Sequence, residues 1–423
     1  MRGVGAPAVS APPAGAVLRP HYPCLEGLRT LGVMALFFQH TGYTTGIQRE
    51  PGFSWMGHLE WGPGMFFVLS AFLLYQPFSI AAFVDRAPPG WSRFMKARLL
   101  RVIPAYWVTI TLLVLFFRAD PNDPFSGGVK VFGWRDGIEV YTLTQVYDPR
   151  NFAHGITAAY TLCTEVVFYL LVPLFGAWLV RVCRGRSLDA RLRVQLVALG
   201  VLSVAAFAWR QVVYAPVRPS GGAFCIENPG SVRCAAVRWF PGYLDYFCLG
   251  AAVAAVAIWA MLRDEPPRWL VAVGRVPELW WALFVATFAL YSARYGTFGL
   301  ETVAIGEYQI RYYLVGLMCL FLLLPGAIGP QDRGPVRWFL RWRPIAYTGL
   351  VSYGVYLWHQ GWTDKANDWV GGEGPRVDFV VVTGLAVALS VLAATVSWYR
   401  LERPINRRRD VPLRHWLKPL PRA

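Results

Sequence analysis

Ten apolar stretches, each close to the length of a membrane-crossing helix, run the length of this 423-residue chain. They lie approximately at 27–43, 61–79, 102–118, 156–180, 194–213, 240–262, 278–294, 309–328, 345–362 and 377–399. A helix needs ~20 predominantly apolar residues to cross the hydrocarbon core, so most of these are long enough or nearly so. Backbone groups in lipid must be satisfied within the segment, which leaves helices as the default for such runs. Charged residues make up only 16% of the chain and hydrophobic ones 55%, where soluble domains carry about 25% charged residues. Mean hydropathy is +0.37. The pattern predicts an all-α integral membrane protein of about ten transmembrane helices.

The net charge of +16 would suggest nucleic acid in a soluble protein, but here the placement of the charges matters more than their sum. If the N-terminus is inside, the segments 1–29, 84–101, 181–193, 263–276, 330–344 and 400–423 are cytoplasmic. They hold 28 of the 41 lysines and arginines, the bias that orients membrane proteins. Both termini are therefore expected in the cytoplasm, and the C-terminal "RLERPINRRRDVPLRHWLKPLPRA" as a basic segment near anionic headgroups. No nucleic-acid partner is expected. Arginine outnumbers lysine 37 to 4, which fits a GC-rich bacterial genome. The first 20 residues lack the apolar region of a signal peptide and read as a disordered tail. The expected division is tail 1–20, membrane core 21–405 and basic tail 406–423. No internal repeat suggests a duplicated transporter.

The seven cysteines show no metal-ligand spacing, and no metal site is expected. Five lie in or beside apolar runs, where a thiol behaves as a small apolar residue. Cys225 and Cys234 instead bracket "IENPGSVR" in a connection placed outside. A disulfide there suits an oxidising exterior; two free thiols in a loop are the alternative.

The first apolar stretch, "EGLRTLGVMALFFQHTGY", contains Arg29 and His40. Eleven residues is close to three helical turns, so both lie on one face, roughly 16 Å apart along the axis. Arg29 then sits near the cytoplasmic surface and His40 well inside the membrane, where ionisable groups usually face a cavity or a partner. Taken alone, His40 equally fits a neutral histidine bonded across helices, and Arg29 an ordinary topological anchor. "KARLLRVIPAYW" adds Arg98 and Arg101, three apart on one face at the start of the third stretch. Guanidinium groups in such a set can grip phosphate oxygens in bidentate fashion. The combination suits a long donor with a phosphate-rich head, entering from the cytoplasm, with coenzyme A thioesters as the matching shape.

Five strings carry a family resemblance: "LEGLRTLGVMALFFQH", "GPGMFFVLSAFLLYQPF", "ARLLRVIPAYW", "YTLCTEVVFYLLVP" and "SYGVYLWH". In this order, over roughly residues 24 to 405, they resemble the acyltransferase 3 family of integral-membrane O-acyltransferases. The resemblance implies a ten-helix core that moves an acyl group from cytoplasmic acyl-CoA to a hydroxyl. The family's arginine–ten residues–histidine motif falls on Arg29 and His40, its Arg-x-x-Arg motif on Arg98 and Arg101, and its acidic position on Glu165. Two positions depart from the family pattern: Glu26 stands for the usual aspartate, and Ala71 for the usual glycine of Ser-Gly-Phe. Some relatives carry a soluble esterase-like domain after the tenth span; with about 24 residues following it here, the activity is expected to reside in the membrane core.

His40 is then the expected general base, since neutral imidazole has a suitable pKa; a covalent acyl-histidine is the less favoured route. Glu165 is expected either to orient His40, as the acid of a triad does, or to bind acceptor hydroxyls. A structural pairing with a tyrosine or arginine is the plainer alternative. Arg29, Arg98 and Arg101 are expected to hold the donor. Ser70, Tyr169, Tyr356 and His359 are the candidate substrate contacts, with Tyr356 and His359 near the outer end of the ninth span. Ser70 is equally a small residue at a helix contact, and Tyr356 and His359 part of an interfacial belt. No permanently bound cofactor is expected; the partners are acyl-CoA, a hydroxyl-bearing sugar, glycolipid or small molecule, and membrane lipid. The rival reading is a proton-coupled transporter or flippase using the same cavity, with His40 and Glu165 relaying protons.

Overall fold

The computed structural model describes residues 21–117, 129–131, 133–151, 154–214, 220–223, 231–295 and 301–408. The tail 1–20, Cys225 and the basic residues beyond 408 lie outside them. Fifteen helices are used below: α1 (Leu25–Thr45), α2 (Trp61–Phe83), α3 (Trp91–Phe116), α4 (Trp134–Tyr141), α5 (Tyr160–Cys183), α6 (Leu188–Tyr214), α7 (Phe240–Met261), α8 (Arg268–Arg275), α9 (Pro277–Arg294), α10 (Ile305–Ala327), α11 (Pro335–Arg341), α12 (Arg343–Leu350), α13 (Ser352–Val370), α14 (Pro375–Ser397) and α15 (Arg403–Arg407). The only strands among the described residues, Ser220–Ala223 and Glu301–Thr302, pair antiparallel.

Seven helices among the described residues are individually long and apolar enough to cross a membrane: α2, α3, α5, α6, α7, α10 and α14. The pair α8 and α9, bent by 70° against each other, makes an eighth candidate. Helices α1 and α13 fall short of that measure. Both carry polar side chains inside apolar runs: Glu26, Arg29, Gln39 and His40 on α1, and His359, Asp364, Lys365 and Asp368 on α13. A lipid-facing helix could not carry these groups cheaply; α1 avoids the problem by packing among α2, α10, α12, α13 and α14. The more peripheral α6 turns Val197, Val201, Val204 and Val212 outward, an apolar stripe of the kind lipid covers.

Each apolar segment found in the sequence is occupied by a helix, with most ends displaced by a few residues and the third helix beginning eleven residues early, at Trp91. The ninth departs in its continuity. Expected at 345–362, it is broken at Val351 into α12 and α13. Hydropathy cannot detect the break, because the residues on both sides are apolar. As a result His359 sits in the middle of its helix rather than near the outer end. At the C-terminus, residues 398–407 continue through a π-helical turn into α15 and pack on α3. The basic segment therefore begins as part of the bundle.

Three devices tie the helices together. Buried Arg337 donates to the carbonyls of Gly274, Pro325 and Ile328 at 2.8–2.9 Å, satisfying the carbonyls that helix ends leave open. Arg210 of α6, without accessible surface, makes two bonds to Asp245 of α7 at 3.1 and 2.7 Å. It also stacks 3.8 Å from the ring of Tyr312 on α10, whose hydroxyl donates to Asp245. The start of α1 is wedged between α11 and α12. A Cβ at Gly27 would meet the Leu340 carbonyl oxygen at 2.3 Å, and one at Gly349 the Glu26 carbonyl oxygen at 1.8 Å. Only glycine permits that approach, which explains the glycine directly before Leu28-Arg29.

Candidate functional site

Helix α2 lies at the centre, contacting α1, α5, α6, α7 and α10. Nearly all of it is buried, and the accessible residues fall on one stripe: Pro63, Phe66, Ser70, Leu73, Pro77 and Ile80. Steps of three and four keep these on a single face. In its middle that stripe faces protein: Ser70 donates a hydrogen bond to Glu165 of α5, and the Phe66 ring lies 6.2 Å from that of Tyr356 on α13. Polar groups gather beside this stripe at two levels.

At one level stand the arginines. Arg29 Nη1 lies 2.8 Å from both carboxylate oxygens of Glu26, one turn earlier on α1. Arg29 is also within electrostatic reach of Arg101 and Glu165. Glu165 is within hydrogen-bonding reach of Tyr169, which feels Arg98 and Arg101 in turn. Arg98 lies over the Phe94 ring at 5.6 Å, and Arg101 is exposed. The structure thus brings Arg29, Ser70, Arg98, Arg101, Glu165 and Tyr169 together from four helices. Nothing in the sequence singles out one further member, Glu402. It is buried, accepts a hydrogen bond from Ser397 at 2.9 Å and lies near Arg101. Like charges gathered this closely repel unless an anion or carboxylates answer them. Glu26, Glu165 and Glu402, equal in number to the three arginines, answer that charge within the protein.

The second level belongs to the histidines. His40 is eleven residues along α1 from Arg29, and its Nδ1 lies 2.9 Å from Nε2 of His359 on α13. The two rings are stacked at 4.9 Å, 28° apart. Nδ1 of His359 lies 2.7 Å from the Tyr356 carbonyl oxygen. A carbonyl only accepts, so this nitrogen carries the proton. In a neutral ring Nε2 of His359 is then an acceptor, and Nδ1 of His40 must be the donor. That leaves Nε2 of neutral His40 with its lone pair bare. His359 has no accessible surface, whereas His40 keeps some. A histidine with a fixed tautomer and an open basic nitrogen is what proton abstraction requires.

Two expectations are revised by this geometry. Glu165 does not orient His40: it bonds Ser70 among the arginines, and the orienting position beside His40 is filled by His359. Nor do Tyr356 and His359 wall an open pocket. Tyr356 is buried, with its hydroxyl donating to the Ala158 carbonyl at 2.5 Å and lying 2.9 Å from Thr161 Oγ1. Both side chains are consumed by contacts between helices, which hydropathy and spacing cannot foresee. Their placement in "SYGVYLWH" did mark the right helix face, since positions three apart lie side by side.

Outside the bundle, α4 and the turns that follow form a cap pinned by side chains. Tyr106 and Trp107 of α3 donate to the carbonyls of Val140 and Tyr141, both at 2.8 Å, and Trp239 to that of Val146 at 2.9 Å. An open cleft of about 610 Å³ in this cap has Arg135, Glu139 and Asp148 in its wall. Those charges pair with one another, Arg135 reaching Glu139 at 3.0 Å and Asp148 at 2.7 Å. Cys234 is disulfide-bonded, while Cys24, Cys163, Cys183, Cys248 and Cys319 are free and buried.

Sequence comparison places these strings in a known group. The acyltransferase domain of the acyltransferase 3 family matches residues 22–395. Peptidoglycan O-acetyltransferase OatA of Listeria monocytogenes is 23% identical over 403 residues, covering 92% of this chain and 56% of that protein. O-acetyltransferase OatA of Staphylococcus aureus is 24% identical over 405 residues, covering 92% and 58% respectively. The chain thus spans little more than half the length of these curated relatives. No solved structure matches it. With the match running from before α1 to the end of α14 and including Arg29, His40, Arg98, Arg101 and Glu165, this chain belongs to the acyltransferase 3 family.

Proposed function

We propose that this protein is a multi-pass O-acyltransferase of a bacterial cell membrane. It moves an acyl group from cytoplasmic acyl-CoA to a hydroxyl of a saccharide on the opposite side. Adding α1 and α13 to the eight apolar candidates gives ten crossings, and the charge bias of the connections favours both termini in the cytoplasm. Adding them is physically reasonable because α1 packs among five helices and α13 packs against α1, α3 and α14. The names of the relatives support O-acetylation of a cell-wall glycan. The observation that carries the reading is the bare Nε2 of His40, set by its bond to His359 and roughly 16 Å along α1 from Arg29.

In this reading the phosphates of the donor rest among Arg29, Arg98 and Arg101, and the pantetheine arm lies along α2 past Ser70. The thioester carbonyl reaches His40. The acceptor hydroxyl attacks that carbonyl carbon while His40 Nε2 takes its proton. A C–O bond forms, the C–S bond breaks, and the imidazolium returns the proton to the departing thiolate. Among the described residues the partner of His40 is His359, backed by the Tyr356 carbonyl, and not a carboxylate. Such a relay keeps His40 neutral at rest, because a lasting charge in this medium is costly. It supports the imidazolium only for the moment between the two proton transfers. Glu165 serves to orient Arg29 and Ser70 at the donor's path.

The test is His40→Ala in purified full-length protein, assayed for release of CoA from acetyl-CoA. Turnover should fall at least a thousandfold while acetyl-CoA still binds. A variant that keeps substantial turnover removes His40 from the base role. A parent that never releases CoA supports the transporter instead.

A further inference from the structure

The accessible stripe of α2 does not end at Pro63. Glu60, one turn earlier and still in helical conformation, continues it by one turn, next to Gly62, which packs on Gly32 and Leu36 of α1. Tyr43 lies one turn past His40 on α1, and Tyr160 opens α5. Tyr243 stands in the first turn of α7, with Arg238 just ahead of that helix. Tyr160 and Tyr243 are stacked with centroids 6.1 Å apart, and the Arg238 guanidinium lies 6.0 Å from the Tyr160 ring. Glu60 acts electrostatically on both Tyr43 and Tyr160. Glu60, Tyr160 and Tyr243 are each half-buried and keep accessible surface.

Glu60 is half committed. One carboxylate oxygen accepts from the Tyr291 hydroxyl, and the other, buried, has no hydrogen-bond partner among the described residues. A buried polar atom in that state costs free energy unless something donates to it. No step of the acyl transfer uses this group.

We propose that Tyr43, Glu60, Tyr160, Arg238 and Tyr243 form the seat of the acceptor and that the acceptor is a pyranose. A pyranose presents flat C–H faces that lie against aromatic rings, and a rim of hydroxyls that donate to carboxylate and accept from guanidinium. The stacked Tyr160 and Tyr243 supply the platform. The unpartnered oxygen of Glu60 takes a ring hydroxyl, Arg238 beside Tyr160 offers donors to another, and Tyr43 completes the seat one turn along α1 from His40. An apolar alcohol would leave Glu60 unanswered, so the carboxylate selects for a polyhydroxylated acceptor. The proposal rests on the acyltransferase reading with a saccharide acceptor and adds to it where the second substrate is held and by which residues.

The experiment uses full-length protein, returned to cells lacking their own copy, with ester-linked acetate measured on saccharides of the isolated cell envelope. The same variants are purified and their acetyl-CoA dissociation constants measured. Glu60→Gln and Tyr243→Ala should each lower envelope acetate at least tenfold and leave acetyl-CoA affinity within twofold. Tyr243→Phe should keep at least half of the parent level, because the ring face is retained. Unchanged acetate in both Glu60→Gln and Tyr243→Ala overturns the proposal. So does a matching loss of acetyl-CoA affinity, which would place these residues on the donor side or in the fold. An acceptor that proves not to be a saccharide overturns it as well. A parent that transfers no acetyl group at all removes the acyltransferase reading itself, before any variant is compared.

Discussion

Replacing His359 by leucine should disable the enzyme while leaving its donor site intact. The structure gives His359 two bonds, one to the Tyr356 carbonyl at 2.7 Å and one to His40 at 2.9 Å. Leucine removes both. The Nδ1–H of His40 then has no acceptor, and an unsatisfied buried donor costs about 1–3 kcal/mol. The ring can relieve this by rotating or by moving its proton to Nε2, and either change withdraws the lone pair from the acceptor. Where a triad histidine is left in the wrong tautomer with its geometry intact, the rate falls about 10⁴-fold. Part of the His40 population keeps the productive form, so kcat should drop by roughly 10²–10⁴. The KM for acetyl-CoA should change less than about twofold, because the arginines stand roughly 16 Å away along α1. His359→Gln is the control: its side-chain carbonyl can stand near the lost Nε2 and accept from His40. It should recover at least tenfold over leucine. The assay is CoA thiol release in nanodiscs, paired with ¹⁵N spectra of histidine-labelled protein, in which a bare and a protonated ring nitrogen are well separated. A leucine variant within threefold of the parent refutes the relay. So does a glutamine variant no better than leucine when the His40 spectrum is unchanged.

Two further outcomes follow from the arginines and from the buried ion pair. Charged hydrogen bonds are worth ~1.5–3 kcal/mol each, so Arg98→Ala or Arg101→Ala should weaken acyl-CoA binding about tenfold or more, with lysine rescuing only partly. Donor binding should also weaken with salt in the parent and much less in the double variant; equal affinity in that variant would reduce both residues to topology signals. Asp245→Ala should destabilise the bundle by about 3–5 kcal/mol, because it strands the fully buried Arg210. Arg210→Met combined with Asp245→Leu should restore most of that loss in thermal unfolding in detergent, whereas a double variant as unstable as the single would contradict this reasoning.

Hydropathy alone located every long helix, because the lipid requirement acts on each segment separately and leaves its mark in local composition. The spacing of Arg29 and His40, and that of Arg98 and Arg101, needed only helical geometry to place each pair on one face. Neither pattern carried information about neighbours in space. His359 reaches His40 across 319 positions, and Glu402 reaches the arginines from beyond the last long helix. The break at Val351, which moves His359 to mid-helix, is invisible to a composition that is apolar on both sides of it. Glu165 illustrates the same limit: an intramembrane carboxylate could be recognised as functional, yet whether it served His40 or the arginines depended on the packing of α2 against α5. Local physics fixed which segments are helices and which faces are charged. The direction of the His40 lone pair, and with it the chemistry, was decided by which helix became the neighbour of α1.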